Sequence, residues 1–249
     1  MLQGSERCLW CHEYFDGEIG WKWMVGLSGQ TKLCPLCSAQ LKKMEEISCE
    51  ECGRPNLGAP AEGTCHDCVR WKKVAPWDTK AFHHRALYYY DPFIQEVLTA
   101  LKYRGDVALG ELFSPDLKSL GKKIGSFDFV TYIPLKEGRH WERGFNQAEV
   151  LARSFAAKPL VERVGVSSNK QSKRTREERI LAMKNAFVLS VEGRKENYSG
   201  KRILIVDDIY TTGATLRSAA SLFYEAGAEF VAAVTVARAV GSKARKKMK

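Results

Sequence analysis

Two groups of residues in this 249-residue chain have the types and spacing to do chemistry. In the run from Ile203 to Thr215, an apolar stretch leads into Asp207 and Asp208, and Thr211, Thr212, Gly213, Ala214 and Thr215 follow. Paired carboxylates at a strand end can accept hydrogen bonds from two vicinal hydroxyls of a ribose. A helix opening just after them presents unpaired N–H groups and positive partial charge, which together bind phosphate. Gly213 lets the backbone come close to such a ligand, and the threonine hydroxyls add donors. The chemistry is that of a sugar-phosphate site.

The second group is the cysteines. All eight stand in CxxC pairs, Cys8/Cys11, Cys34/Cys37, Cys49/Cys52 and Cys65/Cys68, and none lies beyond residue 68. A CxxC turn aims two thiolates at one point, and two such turns complete the four-sulfur shell that Zn²⁺ prefers. Four pairs predict two structural zinc ions. Pairing neighbours gives one site from Cys8, Cys11, Cys34 and Cys37 and another from Cys49, Cys52, Cys65 and Cys68. That order is favoured because shorter loops cost less entropy to close, while an interleaved arrangement stays open. His12 and His66 adjoin cysteines, but complete thiolate sets leave them no necessary role. Residues Met1 to Trp10 lack the basic start and apolar run of a secretory signal, which argues for a reducing, cytoplasmic setting and against a disulfide framework.

These groups need elements to hold them. His83 to Tyr90 is aromatic and β-prone, and Asp91 followed by Pro92 offers a helix cap and a first helical residue. Ile94, Val97, Leu98 and Leu101 then share one helical face, with Gly105 placed to end it. Phe127 to Leu135 reads as a strand, Phe145 to Ala157 as a helix and Phe187 to Val191 as a short strand. Arg202 to Val206 has the continuous apolar character of a strand buried on both faces of a parallel sheet. A helix from about Gly213 to Ala226, closed by Gly227, and a strand from Phe230 to Val236 complete the pattern. Strands alternating with helices predict an α/β sheet whose ligands bind at the carboxyl ends of the strands, where Asp207 and Asp208 fall.

The apolar fraction of 45% is enough to fill a core, so disorder is not the default, and no run approaches the ~18 apolar residues of a membrane span. The seam between modules is expected near Val74 to Asp78, where Pro76 interrupts, giving a metal-binding module over residues 1–75, an α/β domain over 76–241 and a basic tail over 242–249. Residues 1–78 hold 9 basic and 11 acidic groups, and residues 79–249 hold 30 and 18, so the net charges are near −2 and near +12. The surplus on the larger part suits a polyanionic partner such as nucleic acid. Trp10, Trp21 and Trp23 suit either base stacking or the filling of space around metals. His83, His84, Tyr88 to Tyr90 and Trp141 are further candidates for stacking.

The run from Asp207 to Thr215 resembles the signature of the type I phosphoribosyltransferases. That resemblance implies a parallel sheet of their kind and phosphoribosyl pyrophosphate or a related sugar phosphate as ligand. Mg²⁺ would be held mainly by the ligand's own oxygens. Upstream, Tyr132, Ile133, Pro134 and Leu135 are followed by Arg139 and then by Arg143, Gly144, Phe145, Asn146 and Gln147. Together with the paired cysteines, which suggest a double zinc ribbon, and the segment from Leu101 to Asp106, this resembles the ComF family of competence proteins, in particular the ComFC type, over essentially the whole chain.

In the terms of that family, the loop leaving Pro134 would lie against the pyrophosphate, with Arg139 and Arg143 as partners for its charge. Read as residues alone, Arg143 and Asn146 equally well cap and solvate the next helix. Gln171, Arg179 and the segment from Asn185 to Phe187 match a further family segment, within a basic loop that holds Lys170, Arg174, Arg176 and Arg179. That loop reads as a nucleic-acid contact or a solvated helix face, and the tail from Lys243 to Lys249 as a solvated end or a DNA-binding arm. The family's biology implies natural transformation, with incoming single-stranded DNA handled beside the helicase ComFA. The setting would be the cytoplasm, with recruitment to the inner face of the membrane at the DNA-uptake machinery and no membrane insertion. The alternative is a working phosphoribosyltransferase of nucleobase metabolism. Such an enzyme needs a hood that binds a base edge and a group that assists at its reacting nitrogen, and neither is identifiable in the sequence.

Overall fold

The structure is a computed structural model that describes residues 5–16, 32–55, 63–103, 107–135, 137–164 and 186–240. Its centre is a four-stranded, all-parallel sheet formed by β3 (His83–Tyr89), β8 (Phe230–Arg238), β7 (Arg202–Tyr210) and β4 (Phe129–Tyr132), in that spatial order. The two inner strands are the most apolar, as a sheet covered on both faces requires, and Ile203 to Val206 and Val231 to Val234 are withdrawn from solvent.

Alternation along these strands sorts side chains into two cores. Leu204, Val206, Ala232 and Val234 face α3 (Pro92–Tyr103), α4 (Val107–Ile124) and α6 (Gln147–Ala152), whose Ile94, Leu98, Leu101, Phe113, Leu117 and Leu151 fill that side. Ile203, Ile205, Val231 and Ala233 face α7 (Ala214–Glu225), which contributes Leu216, Ala219, Ala220 and Phe223. Asp91 caps α3 as expected, its Oδ1 accepting from the Ile94 N–H at 3.0 Å.

The cysteine-bearing segments, which include β1 (Ser5–Arg7), β2 (Tyr14–Asp16) and α1 (Pro35–Ala39), are built onto this body. Cys49, Cys52, Cys65 and Cys68, together with Trp71 from α2 (His66–Trp71), belong to the same core as α7. Trp77 joins them from the far side of the expected seam, edge-on to Phe82 and Tyr224. The other cluster lies against the opposite core, where Trp10 packs edge-on to Phe93 at 5.6 Å. Residues 42–51 also run along β3, which would otherwise be an open edge. The Met44 N–H donates to Leu87 O, that of Tyr89 to Lys42 O and that of His84 to Glu51 O.

Some boundaries differ from the sequence expectation. Strand β4 is shorter than the span Phe127 to Leu135. The helix expected from Phe145 to Ala157 is divided into α6 and a 3₁₀ turn, Arg153–Phe155, because Asn146 caps α6 late and Ala156 turns left-handed (φ 53°). Strand β7 does not stop at Val206. It continues through both aspartates to Tyr210, since β8 supplies backbone partners as far as Arg238. Gly105, Trp21, Trp23 and the tail lie outside the described residues. Among the described residues, no helix is long and apolar enough to cross a membrane.

Candidate functional site

Asp207 and Asp208 sit in the last four residues of β7, at the carboxyl edge of the sheet, and both are buried. The Asp208 N–H donates to Asp207 Oδ1 and the Ile209 N–H to Asp208 Oδ1, each at 2.9 Å, so both carboxylates are oriented by their own backbone. Burial, reinforced by the charge of Asp208, pushes the Asp207 carboxyl well above the usual carboxylate range. Asp208 pairs with the Lys102 ammonium at the end of α3.

Beyond the pair, Tyr210 turns its ring inward and stacks on His84 at 4.1 Å between centroids. Gly213 (φ 80°) is the N-cap of α7, and the Ala214 N–H reaches Thr212 Oγ1 at 3.4 Å. Thr211 is exposed, while Thr212, Ala214 and Thr215 are half-buried at the helix mouth. The Trp71 indole Nε1–H donates to Thr212 O at 3.2 Å, which fixes the loop to α2. A Cβ at position 213 would stand 2.3 Å from the Tyr210 hydroxyl oxygen, in a backbone conformation that side chains disfavour. Gly213→Ala is therefore expected to cost about 1–3 kcal/mol of stability by denaturant unfolding. An unchanged midpoint would mean that the loop is not held in this conformation.

The segment after β4 forms a second wall. Asn146 is buried, donates from Nδ2 to Ile133 O at 3.0 Å and accepts the Ala148 N–H at 3.0 Å, so it caps α6 and fixes the loop that starts at Ile133. Helix α5 (Glu137–Arg143) presents Arg139 exposed. Arg143 donates to Gln147 Oε1 at 3.1 Å and to the Tyr103 hydroxyl at 3.3 Å, and its guanidinium lies 4.9 Å from the Tyr103 ring centroid.

Sequence reasoning missed two cations. One is Lys102. The other is Arg163 at the end of β5 (Val161–Arg163), which pairs with β6 (Phe187–Leu189). Burial lowers its guanidinium pKa, the Asp207 charge opposes that shift and Arg139 adds to it, so these three charges share one field. Lys170, Arg174, Arg176 and Arg179 lie outside the described residues. Of the proposed stackers, His84 and Tyr88 are buried and Trp141 is 90% exposed; Tyr103, which the sequence reading did not single out, is 68% exposed beside Arg143.

The eight cysteines form the two sequential groups, and within each the four Sγ atoms lie within 4.8 Å of one another. Tetrahedral zinc with bonds near 2.3 Å implies S···S separations of about 3.8 Å. The Cys11–Cys34 and Cys52–Cys65 sulfurs stand at 3.7 and 3.5 Å. Backbone N–H groups already point at the sulfurs, from Cys34 to Cys8 Sγ and from Cys65 to Cys49 Sγ, both at 3.3 Å. Neither His12 nor His66 is needed to complete a group. The donor set fits a tetrahedral thiophilic dication.

Comparison with known proteins adds four findings. The phosphoribosyl transferase domain family matches residues 142–249. The chain is 31% identical over 222 residues to competence protein ComFC of Bacillus subtilis (strain 168), covering 88% of this chain and 89% of that protein. It is 29% identical over 238 residues to competence protein ComFC of Streptococcus pneumoniae, covering 93% and 100%, and 27% identical over 218 residues to DNA utilization protein YhgH of Escherichia coli (strain K12), covering 82% and 88%.

Proposed function

The chain belongs to the ComFC family of competence proteins, and from that premise we propose that it handles incoming single-stranded DNA during uptake while binding phosphoribosyl pyrophosphate, or a related sugar phosphate, beside β7. The observation that carries the sugar-phosphate reading is the buried pair Asp207 and Asp208, followed directly by a glycine-capped helix. In this reading the carboxylates accept the two ribose hydroxyls and the segment from Thr211 to Thr215 takes the 5′-phosphate. Arg139 and Arg143 face the pyrophosphate, and Lys102 neutralises Asp208 until the ligand enters. Mg²⁺ rides with the ligand, where it screens pyrophosphate charge. Zn²⁺ fills both cysteine groups in a structural role, in the module of residues 1–75 that seats on the domain of residues 76–241.

The DNA reading rests on the family and on the basic surplus of residues 79–249. The exposed Trp141 and Tyr103, on the helices that carry Arg143 and Lys102, add faces on which bases can stack. ComFA is the helicase partner this reading names. Filter binding of single-stranded oligonucleotides over a salt series tests it. Each neutralised phosphate steepens log affinity against log salt by about 0.7, so reversing charge at Lys170, Arg174 and Arg176 should flatten the slope by about 2. Trp141→Ala should lower affinity by about 1–3 kcal/mol with the slope preserved, as stacking depends little on salt. A chain that fails to bind single strands at low salt would overturn the DNA reading.

A further inference from the structure

Arg217 in α7 and Arg238 at the end of β8 are, among the described residues, the two largest side chains fully withdrawn from solvent, each 1% exposed. Both guanidinium groups are packed among aromatic rings. Arg217 lies 5.2, 4.9 and 4.9 Å from the ring centroids of Trp71, Trp77 and Phe82, and Arg238 lies 4.4 Å from that of Tyr210. Charge in such a place is costly unless opposite charge meets it. Each arginine aims one Nη2–H at a sulfur of the second cysteine group, Arg238 at Cys52 Sγ (3.0 Å) and Arg217 at Cys68 Sγ (3.5 Å). Nε and Nη1 of both have no hydrogen-bond partner among the described residues.

The charges can be counted. Arg217 also reaches Glu51 Oε2 at 3.3 Å, but the other oxygen of that carboxylate is met by Lys72 at 3.1 Å. Lys72 is half-exposed and shares Glu51 with Arg217, so that carboxylate offsets only part of the two buried positive charges. Four neutral thiols supply nothing against the rest. Four thiolates around one dication carry a net charge of −2, the sign that the two arginines require. The first cysteine group differs, since its Cys11 is exposed and water can solvate its charge.

We propose that Arg217 and Arg238 are the built-in counter-charges of a zinc tetrathiolate at Cys49, Cys52, Cys65 and Cys68, each hydrogen-bonded to one of its sulfurs. The inference rests on the reading of that group as a zinc site. It makes the metal part of the floor beneath the loop from Thr211 to Thr215, because Trp71 holds Thr212 and the Tyr210 ring under Arg238 packs against Gly213.

Zinc release from the full zinc-loaded chain to excess 4-(2-pyridylazo)resorcinol tests it, with the phase missing in Cys11→Ser assigned to the first group. Arg217→Met and Arg238→Met are expected to speed release from the second group by roughly 10- to 100-fold, the usual weight of a partner behind a metal ligand, with the other phase unchanged. Arg217→Lys and Arg238→Lys keep the charge and are expected to release zinc near the wild-type rate. Folding of the lysine variants with two zinc ions where the methionine variants fail to fold would support the proposal equally. Unchanged release from a folded methionine variant would overturn it. So would lysine variants that release zinc as fast as the methionine variants, or methionine and lysine variants that fail to fold alike, since shape and not charge would then be the requirement. Wild-type protein without zinc in the second group would instead remove the premise.

Discussion

Cys52→Ser is expected to cost the chain its cooperative fold, whereas Cys11→Ser is expected to cost one metal ion and leave the sheet intact. Cys52 is buried in the same core as Ile203, Ile205, Phe223 and Val231. Its carbonyl oxygen meets His84 Nδ1 at 3.1 Å, and its sulfur meets Arg238 at 3.0 Å. Structural zinc contributes about 10–16 kcal/mol to the folding of small metal-binding domains, comparable to the whole stability of an ordinary domain. Losing it here also strands two buried guanidinium groups. Cys11 is exposed, and its group touches the body through the half-buried Trp10 and Leu41. Metal analysis with thermal unfolding separates the cases. Cys11→Ser should hold one zinc and melt close to wild type, and Cys52→Ser should be insoluble or show no cooperative transition. A Cys52→Ser protein that holds one zinc and melts normally would show that the second group is peripheral to the core.

Asp207→Asn is expected to remove sugar-phosphate binding while leaving stability at neutral pH equal to or above that of the wild type. Its folded pKa lies above the unfolded value of about 3.9, raised by burial and by Asp208. The folded state therefore holds the proton more tightly than the unfolded chain. The group's contribution to stability is full below the unfolded pKa and is lost as pH rises through the folded one, by up to about 1.4 kcal/mol per pH unit. Asparagine carries no such penalty and keeps an Oδ1 to accept the Asp208 N–H. Denaturant unfolding from pH 4 to 8 should show a shallower decline in the variant. Parallel pH profiles would mean that Asp207 is not desolvated. A carboxylate kept in a position that weakens the fold is what a binding site requires.

Much of this arrangement was legible because it is local. The CxxC spacing groups the thiols correctly, the cap at Asp91 starts α3, and the apolar run of β7 marks the central strand. The extension of β7 through Asp207 and Asp208 was not legible, since polar side chains mask a ladder that only β8 supplies. Pro115 lies inside α4, where a proline ordinarily signals a break. Arg217 and Arg238 look like surface residues in sequence, and what explains their burial is a cysteine group 149 and 186 residues away. Lys102 pairs with Asp208 and Arg163 shares the field of Asp207, both from other elements, so no pattern around Asp207 announces them.

Calorimetric titration of phosphoribosyl pyrophosphate, with Mg²⁺, into the full zinc-loaded chain tests the sugar-phosphate site most directly. A saturable one-to-one isotherm is predicted for the wild type. It should be lost in the double variant Asp207→Asn and Asp208→Asn, provided that protein still unfolds cooperatively. No binding by the wild type, or equal affinity in the folded double variant, would contradict the site.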